Sequence, residues 1–333
     1  MLDRYEVRTD LALEEKEKFE SDDVEVKGVI LEEDYDAERE IQMTRVIIQT
    51  EKGARTMGKP VGTYITLEAP NLVVPDESYH REVSVRLAGH VKELMEKLGL
   101  REKEDCSVLI VGLGNRDVTP DALGPNVADQ VCVNRHVVKE YGKYAMGMDV
   151  MNLVSAITPG VMGKTGMETV EIVRGIVEQT HPDLVIAVDA LAARNSKRLN
   201  RTIQIADTGI HPGSGVGNHR NGLTRESLGV PVIAIGVPTV VDAATIVNDT
   251  MENLIRALET SDSLKGVGEV LRSYNGTEKY ELVKELISPH LNGMYMTPKD
   301  VDEMVVQIGF TISEGLNLLF AGDRNEKNEG LSS

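Results

Sequence analysis

Four stretches of the chain are apolar at nearly every consecutive position: VLIVGLG at 108–114, LVSAI at 153–157, DLVIAVDA at 183–190 and PVIAIGV at 231–237. A strand with one wet face alternates apolar and polar residues, so runs of this kind must be covered on both faces. Segments with helical periodicity separate them, and helices are predicted over 121–138, 168–179 and 239–258, the last with Val240, Ala244, Val247, Met251, Leu254 and Leu258 facing inward. A fifth strand, RTIQIAD at 201–207, falls between the third and fourth runs. This alternation leaves few options. It specifies an α/β fold with a mixed, largely parallel sheet and helices on both faces. In such sheets ligands bind beyond the carboxyl ends of the strands, so the residues there are the first candidates for chemistry.

The remainder of the chain is organised around this unit. VEVKGVIL (24–31), IQMTRVIIQT (41–50) and VGTYITLEA (61–69) lack intervening helical patterns and read as an antiparallel meander, a small β-rich N-terminal subdomain within residues 11–75. From Glu77 the spacing of Val83, Leu87, Val91, Leu94 and Leu98 is helical, and Gly99 ends it. The α/β unit extends over 76–320, closing with a helix over 298–320 that Thr297-Pro298 would cap, and 321–333 read as a disordered tail. Trp is absent and aromatic residues make up 4% of the chain, so the core must be built from Val, Ile, Leu, Met and Ala.

Charge and hydropathy exclude whole classes of function. A net charge of −18, from 54 acidic and 36 basic residues, opposes direct binding to nucleic acid or to an anionic membrane surface. The longest apolar stretch, residues 229–241, has 13 residues including two prolines and is too short to span a bilayer. The N-terminus lacks the apolar core of a secretory signal. Cys106 and Cys132 are too few for a disulfide framework, and Cys106 reads as a core thiol. The expected location is cytoplasmic.

Three strand ends and one loop carry suggestive residues. Gly112-Leu113-Gly114-Asn115 resembles the start of a dinucleotide fingerprint, but Asp117 stands where the third glycine belongs and Asp121 follows where a pyrophosphate would sit. TPGVMGKTG (158–166) nearly matches a phosphate-binding loop, with Thr158 in place of the first glycine. An NTP-binding protein using Gly160 to Thr165, with Asp189 holding magnesium, is therefore one reading; a glycine turn that presents Lys164 outward is the other. Asp189 itself ends an apolar strand, where a carboxylate is costly unless solvated, paired or working. Asp121 belongs to the loop of a second strand on the same edge. Two carboxylates sharing an apolar cleft cannot both ionise easily, so one can accept a proton from water while the other donates one; alternatively, each caps the helix after it. The loop DTGIHPGSGVGNHR (207–220) places His211 where it would complete a metal set with Asp121 and Asp189, and sets Ser214 three residues from it. No cofactor is called for.

The segments VLIVGLGNRDVTPDALGP, VSAITPGVMGKTGMET, VIAVDALAAR, IQIADTGIHPGSGVGNHR and VPVIAIGVPTVVDA together resemble the germination protease (spore protease) family of spore-forming bacteria. The likeness runs from VRTDLALE at residue 7 to NGMYMTPKDVDEMV near 305. It implies an atypical aspartic endopeptidase, of a fold similar to that of hydrogenase-maturation endopeptidases, acting on small acid-soluble spore proteins in the spore core. It implies catalytic roles for Asp121 and Asp189, with Asn115, Lys164, His211 and Ser214 as possible supporting residues, and a homotetramer. It also implies a zymogen whose residues 1–10 are a propeptide removed by self-cleavage between Asp10 and Leu11, a bond with an acid before a bulky apolar residue. The segment preceding that bond is shorter than is usual in the family, and the stretch around 259–285 is abbreviated.

Overall fold

The computed structural model describes residues 10–15, 27–100, 105–143, 152–212, 221–260 and 294–321. Strands β1 (Val29–Asp36), β2 (Ile41–Ile48), β3 (Gly62–Glu68), β4 (Ser107–Gly112), β5 (Leu153–Ile157), β6 (Leu184–Ala193), β7 (Thr202–Ala206), β8 (Val232–Asp242) and β9 (Tyr295–Met296) form one nine-stranded sheet. The order is β1-β2-β3-β7-β8-β6-β4-β5, with β9 paired to the end of β8. β8, β6, β4 and β5 are parallel, whereas β1, β2, β3 and β7 run antiparallel to their neighbours. The sheet is therefore mixed, as the alternation of apolar runs requires. The N-terminal meander is not detached from it, because β3 pairs with β7 from Tyr64↔Ala206 to Glu68↔Thr202.

Helices α1 (Glu51–Met57), α2 (Glu77–Lys97), α3 (Leu123–Gln130), α4 (Arg135–Tyr141), α5 (Met162–Thr165), α6 (Thr169–Thr180), α7 (Arg225–Leu228), α8 (Ala243–Glu259) and α9 (Val301–Ala321) connect and cover the strands. On one face α2, α3 and α9 bury Val83, Leu87, Val91, Leu94, Leu123, Val127, Ile308 and Ile312 against β4, β6 and β8. On the other, Val170, Val173 and Val177 of α6 cover Leu109, Val111, Val185 and Ala187. Each fully buried Val or Leu contributes about 1.5–3 kcal/mol of transfer free energy, so the aliphatic core suffices without Trp. Asp76 caps α2 by accepting from the amides of Ser78 and Tyr79.

Several boundaries differ from the periodicity, β1 reaching Asp36 rather than ending at 31 and β6 reaching Ala193 rather than 190. The helix expected over 121–138 breaks after Gln130, because Asn134 is tied to β5: its Oδ1 accepts from Val154 N at 2.8 Å and its Nδ2 donates to Asn152 O at 2.9 Å. β8 continues to Asp242, since Val240 and Val241 pair with Ala192 and Ala193, and Val241 also with Met296. The inner face of α8 is correspondingly rotated: Ile255 is buried, whereas Leu254 is 54% exposed. Thr297 does not cap a helix at 298. Its hydroxyl donates to Thr239 O at 2.8 Å and α9 begins at Val301. Cys106 is buried in the core as expected, and Cys132 is exposed. Of the expected tail, 321–333, residue 321 ends α9 and 322–333 lie outside the described residues.

Candidate active site

The glycines after β4 bring a carboxylate to the strand end. Leu113 N extends the parallel ladder to Val188 O at 2.8 Å. A Cβ on Gly112 would lie 2.2 Å from Gly124 O, so the first turn of α3 rests directly on the strand. Gly114 has φ +109°, and a Cβ there would meet Asp121 O at 2.0 Å. The chain between them turns through Thr119–Asp121 and returns, Asp121 N donating to Val118 O at 2.8 Å. The amide of Asn115, which a phosphate-binding loop would offer to a ligand, donates instead to Asp121 Oδ2 at 2.7 Å. Thr239, itself buried, ties the loop down from β8 by donating to Pro120 O at 2.7 Å.

Asp189 reaches the same edge on β6. It is 5% exposed, its Oδ1 accepts from Ala190 N at 2.9 Å, and its partner across the ladder is Gly236 of β8. Asp121 and Asp189 line one cleft of about 450 Å³, together with Gly114, Pro120, Leu191 and Thr239. The structure thus brings together the two carboxylates singled out in the sequence.

Asp10 lines that cleft as well. Residues 10–14 run along the end of β6: Asp10 N donates to Ala192 O at 3.3 Å, and Ala192 N donates to Asp10 Oδ2 at 3.0 Å. Leu11 and Ala12 are fully buried. Glu14, 2% exposed, accepts from Arg194 N at 2.8 Å and Asn195 N at 3.0 Å and faces Arg198 Nη1 at 3.4 Å. The Asp10 carbonyl oxygen accepts from Lys59 Nζ at 2.9 Å and from Gln204 Nε2 at 3.1 Å, while Gln204 Oε1 accepts from Ala12 N at 2.7 Å. Glu14, Lys59 and Gln204 did not stand out in the sequence. Gln204 carried one signal, a polar side chain inside the apolar strand TIQIA.

The remaining candidates lie elsewhere. Because β7 runs antiparallel to β8, the loop after it leaves from the opposite edge of the sheet and folds back over the strand face. His211 lines a second, smaller pocket there with Tyr64, Gln204 and Gly236, its ring against Gly222. It is not grouped with Asp121 and Asp189, and among the described residues no three His, Cys, Asp or Glu side chains are placed to hold a metal ion. Ser214 lies outside the described residues. Lys164 forms an exposed ion pair with Asp117, which holds the Asp117 carboxyl below its usual range, and does not line the cleft. Nor does the loop at 160–165 form a phosphate cradle. The amides of Lys164 and Thr165 donate to Val161 O and that of Gly166 to Met162 O, and the Thr165 hydroxyl donates to Val161 O and Met167 O. In the second pocket burial pushes the Tyr64 phenol up to about 12, and near it burial raises Asp207, whose Oδ1 accepts from Thr63 N at 2.7 Å.

A family model described as germination protease matches residues 6–273. A germination protease of Caldanaerobacter subterraneus subsp. tengcongensis is 49% identical over 96% of this chain and 96% of that protein. One of Clostridium perfringens is 43% identical over 94% and 95%, and one of Bacillus subtilis 40% identical over 99% and 97%. Among solved structures, the [NiFe] hydrogenase maturation protease HycI of Thermococcus kodakarensis aligns with 68% of this chain and 99% of its own, at 17% identity and a TM-score of 0.31. Among the described residues no helix is long and apolar enough to cross a membrane. By its full-length similarity to these proteases, the chain belongs to the germination protease family.

Proposed function

We propose that the chain is an atypical aspartic endopeptidase of small acid-soluble spore proteins, working in the spore core, made as a zymogen that cleaves its own Asp10–Leu11 bond, and assembled as a homotetramer. One observation carries the reading: Asp10 lines the cleft that holds Asp121 and Asp189. A segment meant only to cover the site need not place an acid–apolar bond beside the two carboxylates. In this reading one aspartate takes a proton from the attacking water and the other supplies one to the departing amine. At the end of β6, Ala192 O accepts from the Asp10 amide and Ala192 N donates to the Asp10 carboxylate, so the acid before the bond is held through both its backbone and its side chain.

The test is intact mass before and after incubation of the full chain at mildly acid pH, with Asp121→Asn and Asp189→Asn alongside and chelator present or absent. Loss of residues 1–10 from the parent alone, indifferent to chelator, is expected, with the same variants inactive on a small acid-soluble spore protein. Normal cleavage by either variant overturns the aspartate pair, and chelator-sensitive cleavage overturns the metal-free mechanism.

A further inference from the structure

We infer that Lys59 and Gln204 are the electrophilic half of the active site, donating to the carbonyl oxygen of the bond to be cut while the aspartates serve the water. The inference rests on the assignment of Asp10–Leu11 as the processed bond. That bond's carbonyl oxygen carries two donors, Lys59 Nζ at 2.9 Å and Gln204 Nε2 at 3.1 Å. The orientation of the Gln204 amide is fixed, because its Oε1 accepts from Ala12 N at 2.7 Å and only its nitrogen remains for Asp10. One glutamine therefore brackets the bond, holding the carbonyl before it and the amide of the second residue after it.

The sheet places this pair relative to Asp189. Gly236 is the ladder partner of both Asp189 on β6 and Gln204 on β7, so the two side chains stand in one row and on one face. Two strand spacings put their backbones about 10 Å apart. A Cβ at Gly236 would meet the Leu191 side chain at 2.4 Å, so Leu191 stands over Gly236 between the two rows; Leu191 and Asp10 line both the cleft of the aspartates and the smaller pocket of Lys59 and Gln204, which meet at the Asp10 carbonyl. Lys59 is aimed from the far side by the left-handed Gly58, φ +62°, which ends α1.

The step balances. Water oxygen bonds to the Asp10 carbonyl carbon and its proton passes to one aspartate. The former carbonyl oxygen becomes negative, and the Lys59 ammonium and the Gln204 amide hold that charge. The carbon–nitrogen bond then breaks, the Leu11 nitrogen takes a proton from the other aspartate, and an Asp10 carboxyl and a Leu11 amine remain. Donors already in place at the developing charge need no reorganisation during the reaction. Once residues 1–10 leave, the same donors face the position of a substrate's scissile carbonyl.

The experiment follows self-processing of the full chain by intact mass for the parent, Lys59→Met, Lys59→Arg and Gln204→Leu, with hydrogen exchange at the Ala12 amide measured in Lys59→Met. Lys59→Met and Gln204→Leu are expected to slow cleavage by about 10²–10³, the usual loss for one such donor. Lys59→Arg should recover part of the rate, and Ala12 should stay protected in Lys59→Met. Parental rates in Lys59→Met and Gln204→Leu, with the parent still cutting at Asp10–Leu11, overturn this inference and leave the aspartate pair standing. Loss of Ala12 protection together with cleavage in Lys59→Met reduces Lys59 to a docking contact and also overturns it. A parent that cuts elsewhere removes the bond on which both readings stand.

Discussion

Gly114→Ala tests whether the glycine turn exists to seat Asp121. The added Cβ would lie 2.0 Å from Asp121 O, where contacts under 3.0 Å are essentially never seen, so the backbone must retreat by 3.0 − 2.0, about 1 Å. Its φ of +109° is also one that an L residue rarely adopts. Backbone strain costs about 1–3 kcal/mol and overpacking a further 1–3, together about 4 kcal/mol. Gly166→Ala is the internal control, because its φ is +71° but nothing lies within 4 Å of the new Cβ. It should cost only the backbone share, about 1 kcal/mol. In thermal unfolding, at roughly 2 °C per kcal/mol for a chain of this size, Gly114→Ala should melt about 6 °C below Gly166→Ala. A displacement of 1 Å near reacting atoms costs about a hundredfold in rate, so self-processing should fall by that factor in Gly114→Ala and stay near parental in Gly166→Ala. Equal melting and equal processing in the two variants would refute the reasoning.

Glu14→Ala removes a buried carboxylate held by two amides and Arg198, about 3 kcal/mol, and should cut the docked population and the processing rate roughly a hundredfold; an unaltered mass time course contradicts this. Thr239→Val, which strips the Pro120 carbonyl of its donor, should cost about 1 kcal/mol in urea unfolding and slow processing several-fold, and parental values in both would show that the tether is idle. Ultraviolet titration of the nine tyrosines should show one component near 12 that Tyr64→Phe removes, with stability falling as pH rises from the ordinary phenol value through 12; titration of every phenol near 10 refutes it. The Asp207 carboxyl is raised by burial, so its contribution is full below the ordinary carboxylate range and lost as pH rises through the raised value. Urea midpoints should therefore show the parent gaining on Asp207→Asn as pH falls through that window, and the opposite slope would contradict the assignment.

The parallel half of the sheet was legible because burial on two faces leaves an unambiguous pattern: no other arrangement hides VLIVG and LVIAV at consecutive positions. Asp121 and Asp189 were legible for the converse reason, since carboxylates are conspicuous where everything around them is apolar. Strand direction was not. RTIQIAD reads the same whether it runs parallel or antiparallel, yet that choice decides where the following loop goes, and the antiparallel answer puts His211 over the sheet face rather than beside the aspartates. The register of α8 was equally hidden, because adjacent Leu254 and Ile255 offer two inner faces and only packing selects the second.

The donors to the Asp10 carbonyl were the least visible. They and the carbonyl come from a turn after α1, a strand of the antiparallel half and the N-terminal segment itself, 49 and 194 residues from Asp10 along the chain for the two donors. No local pattern links them, because what they recognise is a peptide carbonyl, which every residue possesses. Asp121 and Asp189 advertise themselves by sitting where carboxylates are costly, whereas a lysine beside Gly58 and Pro60 or a glutamine on a strand has an ordinary solvent-facing explanation. Only when a segment of the chain occupies the cleft does the carbonyl they share appear. In the self-processing proposed above the docked N-terminal segment is itself the substrate, and it picks out Lys59 and Gln204 as no empty cleft would.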